Sequence, residues 1–175
     1  MKKAINTAVA TGIILSLIFI GGSFVKQILP IDSKMDQIVF AVLFFGVIVL
    51  TLWIAMNNYS RSKVVRWGSL NLTGIIASLI AAVIFSITAF LYARYIQPGY
   101  LSELTSGSKS VAAEEYALSV SGQGWNWLKT PLHFAWYNFQ EAITVLFIIT
   151  IVIGSVYYIL HRNRVPDERN HELIF

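Results

Sequence analysis

Four long runs of this chain are apolar and hold no charged side chain: Ala4–Val25, Ile38–Met56, Gly68–Ala93 and Ala142–Leu160. No other feature narrows the possible folds as far. Each run is about 19–26 residues long. At roughly 1.5 Å per residue, a helix of that length crosses a hydrocarbon core of about 30 Å. Inside lipid the backbone must satisfy its own hydrogen bonds, and a helix does so within one segment. The expected fold is therefore all-α, an integral membrane four-helix bundle. The apolar share of 56 % agrees, since soluble domains hold about 45–50 %. One domain covers the 175 residues, with spans at about 4–25, 38–56, 68–96 and 139–160 and an outer loop at about 97–138.

Charge placement orients the spans. Lys2 and Lys3 precede the first, Arg61, Lys63 and Arg66 lie between the second and third, and Arg162, Arg164 and Arg169 follow the fourth. If all four runs cross, these regions share one side. The other side carries Asp32, Asp36, Glu103, Glu114, Glu115 and Glu141. Lysine and arginine enrichment marks the cytoplasmic face, so both termini are expected inside. The first run also resembles the start of a secretory leader. It exceeds the usual apolar core of about 7–15 residues and no Ala-x-Ala site follows, so a retained span is expected. No dense basic stripe interleaved with aromatics suggests nucleic-acid binding. The inner loop has three basic residues, an ordinary topology signal and fewer than the roughly 4–8 of specific anionic-lipid sites.

The spans differ. Ala4, Ala8, Gly12 and Ser16 recur every fourth residue in the first, and Gly74, Ser78, Ala82 and Ser86 in the third. Such spacing places small side chains on one helix face, where backbones approach closely. Internal packing of span one against span three is the expected use, ahead of a seam for a second chain. Span two, dense in Val, Ile, Leu and Phe, reads as the lipid-facing helix. Ser33 and Asp36 have the spacing of a capping box, with Asp in place of Glu.

Past span three, Arg94 and Glu141 fall at the outer ends of spans three and four. The expectation is similar depth, as an ion pair or as separate charges suited to the two helix ends. Between them, Val111–Val120 reads as a short helix, so the loop is partly helical. Thr130 can cap a helix with Pro131 at its first position. If that helix runs to Leu160 it has about 30 residues, longer than the bilayer core requires. Trp125, Trp127 and Trp136, with Phe134 and Tyr137, then form an aromatic outer surface that anchors in the headgroups; stacking on a sugar or lipid-linked substrate is the alternative.

The catalytic inventory is empty. There is no cysteine, which excludes disulfides, thiolate zinc sites and cysteine nucleophiles. No phosphate-binding loop, zinc-protease helix, calcium loop or nucleophile elbow occurs. His133 is separated by topology from His161 and His171, and is read as a polar residue of the aromatic belt. Its acidic neighbours Glu114, Glu115 and Glu141 lack the convergence a metal or acid–base site needs. No cofactor is expected.

The stretch Gly68–Leu104 has a small-residue span, a Tyr-rich outer end and an exit formed by Ile96, Pro98, Tyr100 and Leu101. An acidic outer loop, a Pro131-Leu132 start and a fourth span follow. This order resembles the small four-span bacterial membrane proteins called domain of unknown function 4199, common in Bacteroidota, over nearly the whole chain. The resemblance implies this architecture in a bacterial cytoplasmic (inner) membrane, and carries no catalytic residue with it. The leading functional expectation is a non-catalytic bundle in the lipid bilayer that scaffolds or modulates a membrane-protein partner or a further copy of itself. A small transporter or a transporter subunit, with Arg94 and Glu141 in an outer vestibule, is the alternative. An enzyme on a lipid-linked substrate, using Glu114, Glu115, His133 or Glu141, is the third reading.

Overall fold

The computed structural model describes residues 2–28, 33–60, 66–99, 101 and 130–161. Helix α1 covers Lys2–Ile28, α2 covers Lys34–Ser60 and α3 covers Trp67–Leu91. A π-helical turn, Tyr92–Ile96, continues α3, and α4 covers Pro131–His161. All four helices are long and apolar enough to cross a membrane, and no strand occurs among the described residues. The chain is thus an all-α bundle of four spanning helices. The helix expected at Val111–Val120, together with Trp125 and Trp127, lies outside the described residues.

Local sequence sets two of the helix starts. At α2 the Asp36 N–H donates to Ser33 Oγ at 3.1 Å, and the Ser33 hydroxyl donates to Asp36 Oδ2 at 2.6 Å. The shorter Asp therefore meets the serine side chain, whereas Glu in a full capping box reaches back to the backbone. At α4 Thr130 Oγ1 accepts from the His133 N–H at 3.3 Å. Pro131 follows as the first helical residue, where a missing N–H costs nothing. The 31 residues of α4 make a rod of roughly 46 Å. It starts eight residues ahead of the expected span boundary at 139. Residues 131–138, which the span bounds leave in the outer loop, are its first two turns, as the expected helix from Pro131 requires.

Side-chain contacts give the helix directions. Gly12 meets Ala77 and Ile80, Phe19 meets Phe85, and Phe24 meets Tyr92, so α1 and α3 run parallel. Phe44 lies against Phe19 and Met56 near Gly74, so α2 runs the other way. Ala135 pairs with Ser86, Thr150 with Ser78 and Gly154 with Asn71, so α4 is also antiparallel to α3. The start of α1 and the end of α4 share the terminal end of the bundle. The π-helical turn and Pro131 share the loop end.

Helix α3 is the centre, packed along α4 on one side and α1 on the other. Its buried residues fall on both flanks, from Leu70 to Ala89. Buried residues of α2 are confined to its second half, Ile48, Leu52, Met56, Tyr59 and Ser60. Its first half has no buried residue and is mostly outward, with the half-buried Phe44 packed on Phe19. The core unites Leu15, Phe19, Ile48, Leu52, Ala77, Ala81, Ala82, Phe85, Ala142 and Leu146. The Phe19 ring centres it, 5.2 Å from Phe44 and 5.4 Å from Phe85. Lipid tails are as apolar as leucine, so close van der Waals contact and buried hydrogen bonds hold such helices together. Gly12 shows how close that contact is: a Cβ there would lie 2.8 Å from the Ala77 carbonyl oxygen and from Ile80.

Candidate functional site

The small-residue seams are consumed inside the bundle. Ala8, Gly12 and Ser16 are buried, and Gly12 seats α1 on α3. Ala4 lies on the same helix one turn earlier. Gly74, Ser78 and Ala82 are buried and Ser86 half-buried. Span one packs on span three as expected, through Gly12, whereas the second seam itself faces α4. Ser78 Oγ donates to Gly74 O at 2.8 Å and lies 3.1 Å from Thr150 Oγ1, and Ser86 Oγ donates to Ala135 O at 2.8 Å. The matching face of α4 is Ala142, Leu146, Thr150 and Gly154, all buried. Leu146 interrupts its small-residue spacing, which hides the pattern in the sequence.

These contacts fix the level of Glu141. Ala135 bonds to Ser86 and Thr150 to Ser78. Glu141 lies between Ala135 and Thr150, so it is level with the Ser78–Ser86 stretch. That stretch is the middle of the continuous segment Trp67–Ile96. Arg94 lies eight residues beyond Ser86 towards the loop end, which adds roughly 12 Å. The expectation of similar depth is overturned. The α3–α4 register set by these two contacts, and not the helix start at Pro131, puts Glu141 at that level. An ionisable residue at such depth marks a functional surface or pathway more often than a structural one.

Glu141 faces out of the bundle. Leu132, Trp136, Gln140, Thr144, Ile148 and Val152 recur every fourth residue along α4 and all are exposed. Glu141 is exposed beside Gln140 on the same side. Side chains four apart form one ridge of a helix, here apolar at both ends and polar at Gln140 and Thr144, with Glu141 flanking it about 100° round the helix from Gln140. Trp136 stacks on Phe139 at 5.5 Å. This side of α4 therefore carries an amide, a carboxyl and a hydroxyl where acyl chains would otherwise lie.

A second polar group lies at the terminal end and was not anticipated. Tyr157 is fully buried. Its hydroxyl is 2.5 Å from Ser60 Oγ and donates to Asn57 Oδ1 at 3.2 Å. The Ser60 hydroxyl also donates to the Asn57 carbonyl at 3.0 Å. Trp53 meets the Tyr157 ring edge-on at 5.0 Å, and His161 stacks on it at 4.2 Å. Nearby, Asn71 Nδ2 donates to Trp67 O at 3.1 Å, while its buried Oδ1 has no hydrogen-bond donor and lies against Gly154. Trp67 Nε1 donates to Ser155 Oγ at 3.1 Å. These contacts join the ends of α2 and α4 to the start of α3. A Tyr in a tyrosine pair near a span end reads as interfacial belt, so the sequence held no signal for its burial.

The remaining candidates stay apart. Arg94 is exposed on the π-helical turn, whose last bond runs from the Gln97 N–H to Tyr92 O at 2.9 Å. His133 is half-buried in the first turn of α4. Among the described residues, no three His, Asp or Glu side chains converge on a point that could hold a metal ion. A cavity of about 10 Å³ lies between α1, α2 and α3, lined by Thr11, Tyr59 and Thr73 with Leu52, Ala55, Met56, Leu70, Gly74 and Ala77.

Comparison with family models, with curated proteins and with solved structures found no match.

Proposed function

We propose that this chain is a non-catalytic, multi-pass protein of a bacterial cytoplasmic membrane, with both termini cytoplasmic. It scaffolds or modulates another membrane component through the outward ridge of α4. The observation that carries this reading is the polar patch of Gln140 and Thr144 on that ridge with Glu141 flanking it, at the depth of Ser78–Ser86. A charged side chain at the centre of a spanning helix costs about 2.5–3.5 kcal/mol on insertion scales. A protein surface with hydrogen-bond donors suits Gln140, Glu141 and Thr144 better than acyl chains do. The small-residue seams, already filled, leave α4 as the polar surface for such contact. Basic residues at the chain ends and between the second and third spans support the orientation.

A photo-crosslinking residue at position 144, compared with one at position 42 on the outward side of α2, tests the reading in cells. The expected result is a protein adduct at 144 and only lipid adducts at 42. Lipid adducts alone at both positions would remove its basis.

Transport draws on the same carboxyl at mid-depth, but it also needs a route for water and solute. The cavity of about 10 Å³ has room for about one water. It is lined by α1, α2 and α3 and is not at Glu141.

A further inference from the structure

We propose that the occupant of the α4 ridge is a second copy of this chain, which rests on the scaffold reading above and names its partner. The patch is complementary to itself. Gln140 offers two N–H donors, Thr144 one O–H donor, and the Glu141 carboxylate about four acceptor positions. Glu141 interacts within its own chain and is exposed, so contacts from a neighbour add to that interaction. Two copies in one membrane with the same topology are related by a twofold axis along the membrane normal, so equal depths meet. Gln140 of each copy then faces Glu141 of the other, and every contact occurs twice, as an isologous interface requires.

The flanks suit the same arrangement. Trp136 and Leu132 lie on the loop-end side of the patch, and Ile148 and Val152 on the terminal-end side, all outward. Two identical ridges of four-residue spacing pack across each other with a right-handed crossing of about −40 to −50°. That crossing brings the ridge centres closest, where Gln140 and Thr144 lie with Glu141 beside them, and lets the bulky Trp136 side chains diverge. A different membrane helix would need its own donors at this one depth, whereas a second copy supplies them automatically.

The chain has no cysteine, so single cysteines report contact without background. Thr144→Cys and Ile148→Cys should form disulfide-linked dimers when native membranes are treated with a lipid-soluble oxidant such as iodine, and Val42→Cys, exposed on α2, should not. Adding Glu141→Leu to Thr144→Cys should lower the dimer yield about tenfold. Glu141→Gln, which keeps acceptor and donor groups, should retain most of it. A thermal melt of each monomer in detergent separates lost association from lost folding. Equal dimer yields at positions 42 and 144 would overturn the proposal, as would a Glu141→Leu variant that folds and dimerises like the parent. A photo-adduct at 144 with a different protein, and no disulfide dimer, overturns the second copy but leaves the scaffold reading standing. Absence of both kinds of adduct removes both.

Discussion

Ser78 and Thr150 place their hydroxyl oxygens 3.1 Å apart in the α3–α4 interface, and both side chains are fully buried. Ser78 also bonds its own helix at Gly74 O. One proton thus serves α3, and the Thr150 hydroxyl is free to bridge the helices. A cycle of Ser78→Ala and Thr150→Val should show a coupling of about 0.6 kcal/mol, with an upper range near 1.7 kcal/mol. Unfolding equilibria of the four proteins in mixed micelles measure it. Purely additive losses would mean that the two hydroxyls do not interact.

Gly154 and Asn71 make the next prediction. A Cβ on Gly154 would fall on the Asn71 carboxamide oxygen. Asn71 is nearly fully buried and its Nδ2 is held by Trp67 O, so it has little room to swing away. Gly154→Ala should destabilise by about 1–3 kcal/mol, as overpacking does. Asn71→Ala frees that volume, so the double variant should lose less than the sum of the single losses. A double variant as unstable as that sum would place the strain elsewhere.

The number of helices and their approximate bounds were legible because twenty uncharged apolar residues have few other fates. The caps at Ser33 and Thr130 were legible because both use fixed local spacings. Partner choice was not. A seam of small residues shows that a helix approaches another, but the pattern on Gly74, Ser78 and Ser86 is the same whether α1 or α4 receives it. The depth of Glu141 was hidden because the α3–α4 register is set by side-chain bonds between residues 49 and 72 apart in sequence. Tyr157 and Ser60 lie 97 residues apart in sequence, and no local signal links them.

The buried tyrosine gives a graded test. Tyr157→Phe keeps the ring contacts with Trp53 and His161 and deletes only the hydroxyl. Ser60 still donates to the Asn57 carbonyl, so the loss should be near 1 kcal/mol. Tyr157→Ala also empties a fully buried site and should cost about 3–5 kcal/mol. Chemical or thermal unfolding in one detergent ranks the two. Equal losses would show that the hydroxyl, rather than the ring, holds the ends of α2 and α4 together.

Arg94 and Glu141 make the sharpest test of the register. The bonds Ser86–Ala135 and Ser78–Thr150 put Glu141 level with the middle of α3, and Arg94 on the exposed turn beyond its end. A thiolate must form in water to react with maleimide, so a membrane-impermeant maleimide reads depth directly. In this cysteine-free chain, Arg94→Cys should label within minutes in intact vesicles that present the loop end. Glu141→Cys should label slowly there and in inverted vesicles alike, and quickly only after denaturation. A depth of more than roughly 12 Å between the two sites should separate the initial rates by more than tenfold. Equal rates would place Glu141 at the surface with Arg94. The polar patch of α4 would then lose the depth on which its partnership depends.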